Sequence, residues 1–125
     1  MLMDSSLFLE IKKADEGDVE AQIKVANAFF EGEGLPAPNY LEAKKYMIML
    51  ADKAPDELPK IGYGTLLYFV GEACFLAGQK LEANEWFQRA HDYFQETYDD
   101  DFAAQLNEEY GLVKMIQKTA HHGSF

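Results

Sequence analysis

Apolar residues recur three and four positions apart along this chain, the spacing that gathers side chains on one side of an α-helix, and no stretch sustains the period-two alternation of a strand. Leu7, Ile11 and Ala14 begin the pattern behind Ser5 or Ser6 as N-cap, and Gly17 stops it. Asp18 can cap a second helix with Ala21 or Gln22, Val25, Ala26 and Phe29 turned inward. Gly32 and Gly34, followed by Pro36 and Pro38, forbid its continuation. Asn39 with Glu42 three residues on has the form of a capping box, opening a third helix whose inner stripe is Ala43, Met47 with Tyr46 beside it, and Leu50. Pro55 and Pro59 bracket a loop. A fourth helix carries Leu67, Val70, Gly71 and Cys74 inward and ends near Gly78; a fifth, from about Lys80 to Tyr98, buries Ala83, Phe87, Ala90 and Phe94. Asp99, Asp100 and Asp101 then oppose the positive end of a last helix that presents Phe102, Leu106, Tyr110, Val113 and Ile116. The prediction is an all-α single domain over 1–125: an N-terminal helix at 5–17, a first helix pair at 18–54, a second at 59–97, and a capping helix at 99–120.

The two pairs read as copies of one another. Leu41-Glu42-Ala43-Lys44-Lys45-Tyr46-Met47 returns forty residues on as Leu81-Glu82-Ala83-Asn84-Glu85-Trp86-Phe87. Val25-Ala26-Asn27-Ala28-Phe29-Phe30 returns forty-five residues on as Val70-Gly71-Glu72-Ala73-Cys74-Phe75, and the five extra residues fall in the 32–39 loop of the first copy. Small residues, Ala26 with Ala43 and Gly71 with Ala83, would let two helices approach closely while Phe29, Met47, Leu67 and Phe87 fill the space around the crossing.

In these residues the chain resembles the tetratricopeptide repeat: Val70-Gly71, Ala83, Phe87 and Ala90 take its spacing, with Leu67 at its first large position. The first copy looks more like the Sel-one-like variant, through Ala14, Gly17-Asp18, Ala21-Gln22, Phe29, Gly32, Gly34-Leu35, Ala43, Tyr46 and Ala51. The resemblance covers about Ala14 to Phe94. It implies a short right-handed α-solenoid of about two antiparallel helix hairpins, and a role in binding other proteins. In arrays of this type the first helix of each hairpin lines a concave groove, which here would place Asn27, Phe30 and Glu31 from the first copy and Tyr68, Phe69, Glu72 and Phe75 from the second against a partner, with Ile23 and Thr65 beside them. The alternative is that Phe30, Phe69 and Phe75 simply pack on neighbouring helices. Asn27 matches an Asn that some members use to clamp a terminal carboxylate, but Glu72 stands at the equivalent place and Ile23 and Phe69 replace the needed polar groups, so no carboxylate clamp is expected.

Charge narrows the partner. Twenty-two acidic against eleven basic residues give a formal net charge of −11, which disfavours nucleic acid and anionic membranes and favours a basic protein or peptide. The same excess also serves solubility. Cys74 is the only cysteine, so no intrachain disulfide exists; the N-terminal residues lack the apolar run of a Sec-type signal, and the apolar stretch at 61–77 is interrupted by Glu72 and glycines. A cytoplasmic protein is expected.

No catalytic, cofactor or metal site is expected. Cys74 and His91 could form a nucleophile and base, but Cys74 occupies the place of Phe29 in the repeat and reads as a buried small apolar residue. His121-His122 sits at a terminus, and Asp99-Asp100-Asp101 lacks calcium-loop spacing. Three readings follow: an interaction module; an acidic inhibitor, immunity protein or secretion chaperone masking a basic toxin or effector; and a self-associating structural repeat, a homodimer if the apolar stripe of the last helix stays uncovered.

Overall fold

The structure, a computed structural model, describes residues 5–53 and 60–120. Every regular element among them is helical: α1 (Ser5–Asp15), α2 (Val19–Glu31), α3 (Tyr40–Lys53), α4 (Lys60–Leu76), α5 (Lys80–Thr97), α6 (Asp100–Glu109) and α7 (Leu112–Thr119). None of these is long and apolar enough to cross a membrane. The chain divides into two compact units, Met1–Asp56 and Glu57–Phe125. The expected loop between Pro55 and Pro59, the residue ahead of α1, and His121-His122 lie outside the described residues.

In the first unit the predicted stripes are the core. Ala14, Ala21, Val25, Ala26, Phe29, Ala43, Tyr46, Met47 and Leu50 are all buried. Both residues offered at the start of α2 turn inward, and buried Gln22 donates from Nε2 to the Ala14 carbonyl at 3.0 Å, tying α2 to α1. Tyr46 stacks on Phe29, ring centroids 6.1 Å apart, and its hydroxyl donates to Asp15 Oδ1 at 2.8 Å. Lys53, at the end of α3, donates from Nζ to the Gly17 carbonyl just ahead of α2, while the Asn39 N–H, ahead of α3, donates to Phe29 O near the end of α2. The pair is therefore antiparallel. That last bond corrects the expected capping box: the Asn39 side chain does accept from the Glu42 N–H at 3.1 Å, but the Asn39 N–H goes to Phe29, and the Glu42 carboxylate pairs with Lys45 instead.

The second unit pairs α4 with α5. A Cβ on Gly71 would meet the Phe87 ring at 2.6 Å, and one on Gly64 would meet Phe94 closer still. As numbering rises from 64 to 71 on α4 it falls from 94 to 87 on α5, so this pair too is antiparallel. Phe87 and Phe94 are fully buried, each contributing about 1.5–3 kcal/mol by leaving water. Ala26, Ala43, Gly71 and Ala83 are all buried as expected, but the closest neighbour of Gly71 is the Phe87 ring rather than Ala83: a missing side chain accommodates a large one.

The internal repeat has a backbone counterpart. Asn39 N–H donates to Phe29 O, and at the equivalent positions Gln79 N–H donates to Cys74 O, both at 2.8 Å. The five extra residues of the first copy are looped out inside that bond. Gly32 makes this turn with φ of +79°, where a Cβ would stand 2.9 Å from the Pro38 nitrogen.

The single capping helix expected over 99–120 is two helices. Tyr110 and Gly111 break it, Gly111 taking φ of +61° at the N-cap of α7. Ala103, Leu106 and Asn107 are buried before the break and Leu112 and Thr119 after it, while Phe102 and Val113, expected inward, are exposed. Both helices pack on α5. Asn84 of α5 holds α7 by donating to the Ile116 carbonyl at 2.8 Å and to Thr119 Oγ1 at 3.1 Å.

Candidate functional site

The seven sequence candidates divide between the units, three on α2 and four on α4. On α2, Asn27 is exposed and lines an open hollow of about 400 Å³ in the first unit, together with Glu10, Lys24 and Glu33. Phe30 is half-buried, its ring edge-on to Tyr40 with centroids 5.6 Å apart. Glu31 is exposed at the last position of α2, and Ile23 is exposed on the same helix.

On α4 the candidates take different roles. Tyr68 is a packing residue. Its ring lies against Phe69, Phe87 and Tyr110 with centroids 5.1, 5.8 and 4.9 Å away, and its hydroxyl donates to Glu72 Oε1 at 3.1 Å. Burial, and then the neighbouring Glu72 charge, push the Tyr68 phenol up to about 12. Thr65 and Tyr110 share a hydroxyl–hydroxyl bond of 2.8 Å beside this ring cluster. Phe75 is half-buried beneath Lys118 of α7, whose Nζ lies 5.1 Å from the ring centroid. Phe69 remains 38 % exposed and Leu76 45 %. Phe69, Glu72 and Leu76 are three and then four residues apart, so they form one stripe along the outer side of α4. Leu76 escaped the sequence reading although it lies seven residues, two helical turns, beyond Phe69.

Cys74 is fully buried and its Sγ lies 3.5 Å from Glu82 Oε2, whereas His91 Nδ1 lies 3.3 Å from Asp92 Oδ1.

A second hollow, of about 650 Å³, opens in the second unit between α5, α6 and α7. His91, Asp100, Asn107, Glu108, Val113 and Lys114 are among the residues that line it. Sequence reasoning missed it, although one signal was available: the 24 residues between Arg89 and Lys114 hold seven carboxylates and no Lys or Arg. Asn107 turns inward because it lies four residues after buried Ala103 and beside buried Leu106 on α6, a placement its polar side chain disguised in the sequence.

No protein-family model, no curated protein and no solved structure matches the chain.

Proposed function

We propose that the chain is a helical-repeat interaction module that binds a basic protein or peptide, with the outer stripe of α4 as a principal contact surface. The observation that carries this reading is the exposed pair Phe69 and Leu76 flanking Glu72 on a helix whose opposite side is locked to α5. Exposed aromatic and aliphatic side chains around a carboxylate suit an apolar anchor next to a Lys or Arg, and the net charge of −11 steers such a partner inward. Tyr68 serves the surface indirectly: its hydroxyl fixes the rotamer of Glu72, so the carboxylate is presented in one place.

Kinship with the tetratricopeptide and Sel-one-like repeats is part of the same proposal. It is supported by the sequence duplication and by the matching Asn39–Phe29 and Gln79–Cys74 bonds. A short right-handed solenoid is what that kinship would give; small-angle scattering of the full chain tests it.

The binding test is a titration with a short peptide bearing one aromatic anchor and two arginines. Changing Phe69→Ala with Glu72→Lys should weaken binding at least tenfold, about 1.4 kcal/mol or more, while leaving helicity unchanged because neither residue is a core member. Binding that is indifferent to salt, or that survives this double change, defeats the assignment.

A further inference from the structure

We infer that the face of Phe75 is a cation seat beside the α4 stripe, occupied in the free chain by the Lys118 ammonium, and that an arginine of the basic partner takes it by displacing Lys118. This rests on the reading that the chain binds a basic partner through α4, and it names the position of one cation of that partner. The structure already holds a cation there: Lys118 Nζ of α7 lies 5.1 Å from the Phe75 ring centroid, where the negative face of the ring attracts an ammonium. Lys45 over Tyr46 and Arg89 over Trp86 make similar contacts, but each pair lies one or three residues apart on a single helix, where neighbours meet in any case. Phe75 and Lys118 come from different helices, so tertiary folding places this cation.

Lys118 takes the ring in preference to a carboxylate. In a chain with 22 acidic residues it forms no ion pair among the described residues, whereas Lys13, Lys24 and Lys45 each pair with a glutamate of their own helix. Lys118 is exposed and the ring beneath it half-buried, so the contact lies at the surface. Such a contact contributes only about a two- to fivefold factor to an equilibrium constant, and a better cation can replace it. Arginine is that cation: its flat guanidinium stacks on a ring and keeps its N–H edge for a carboxylate. Glu72 precedes Phe75 by three residues and Leu76 by four, so the three share one side of α4, and the bond from the Tyr68 hydroxyl holds the Glu72 carboxylate in place. Ring, fixed carboxylate and exposed Leu76 together complement a guanidinium on an aliphatic stem.

The probe is the peptide with one aromatic anchor and two arginines, together with its neutral citrulline counterpart, titrated into the full-length protein. The readouts are affinity and the Lys118 ε-methylene proton resonance, which the Phe75 ring current moves upfield in the free chain. The arginine peptide should return that resonance to its ordinary position, and the citrulline peptide should not. Lys118→Gln should tighten binding about two- to fivefold, because nothing then competes for the ring. Lys114→Gln removes the same charge from the same helix at a position lining the α5–α7 hollow, and should tighten binding less. Phe75→Leu should weaken binding and abolish the advantage of Lys118→Gln; if that variant fails to fold, the resonance and the two lysine changes still decide. Equal tightening by both lysine changes would overturn the seat, and so would a Lys118 resonance that is ordinary in the free chain or unmoved at saturation. In either case the α4 surface stands if Phe69→Ala with Glu72→Lys still weakens binding. Equal displacement by the citrulline peptide would overturn the charge argument. Binding that displaces Lys118 yet is indifferent to Phe69→Ala would uphold the seat and remove Phe69 from the contact surface. No binding of the arginine peptide at all would remove both.

Discussion

At the scale of single residues, the tightest constraint in the second unit is the absence of two side chains. Gly71 lies in the helical region, where alanine would ordinarily gain about 1 kcal/mol, yet its Cβ would stand 2.6 Å from the fully buried Phe87 ring. Overpacking of this kind costs about 1–3 kcal/mol, so Gly71→Ala should lower stability by about 1–2 kcal/mol, read as a fall in the urea midpoint. Adding Phe87→Leu should return part of that loss, because the clash is with the ring and not with backbone. Tyr68 makes a second prediction. Its proton is retained in the folded state up to about pH 12, whereas the unfolded chain releases it near pH 10. The folded state thus holds the extra proton above pH 10, so stability is full below that pH and falls as pH climbs from about 10 toward 12. Tyr46, also raised by burial and by the Asp15 carboxylate that accepts its hydrogen bond, acts in the same direction. Urea midpoints at pH 9 and pH 11 should differ, and Tyr68→Phe should make that difference smaller.

Elements here are delimited by a few caps whose loss should be separable. Asp18 and Asp99 each accept a hydrogen bond at 2.9 Å, from the N–H of Ala21 and of Phe102. Asp99→Ala should cost about 1 kcal/mol and fray the start of α6, visible as faster amide exchange at Phe102. Gly111 separates α6 from α7 in the left-handed region, and a Cβ there would meet nothing within 4 Å. Any cost of Gly111→Ala is therefore that of the backbone alone, about 1 kcal/mol, and Gly111→Asn should cost less.

For the whole molecule, charge and the covering of α5 are the features that matter. α6 and α7 pack on α5 and bury Leu106 and Leu112, while Phe102 and Val113 of the predicted stripe stay exposed, and the net charge of −11 opposes association of two copies through them. Light scattering should give the 14.2 kDa monomer. A dimer would direct attention to Phe8 and Leu9 of α1, both more than half exposed. With a net charge of −11, association with a basic peptide should slow and weaken several-fold between about 0.05 and 0.3 M salt, as the screening length shrinks.

The sequence by itself determined the helices and most of the core. Periodicity marks Val25, Phe29, Met47, Leu67, Phe87 and Phe94, all of them buried, because a three-and-four spacing leaves a helix only one side that can be removed from water. Asp18, Asn39 and Asp99 mark helix starts through a local hydrogen bond that needs no distant partner. The sequence also carried the duplication that reappears as two equivalent backbone bonds. Tertiary structure decided what depends on residues far apart. Tyr68 became a packing residue because Phe87 and Tyr110 converge on it from other elements, leaving Phe69 and Leu76 outside. Gly111, read as part of a continuous helix, takes a left-handed φ that ends α6 and starts α7. The neighbours of a ring are not encoded in local spacing, since they depend on which surfaces the folded chain brings together.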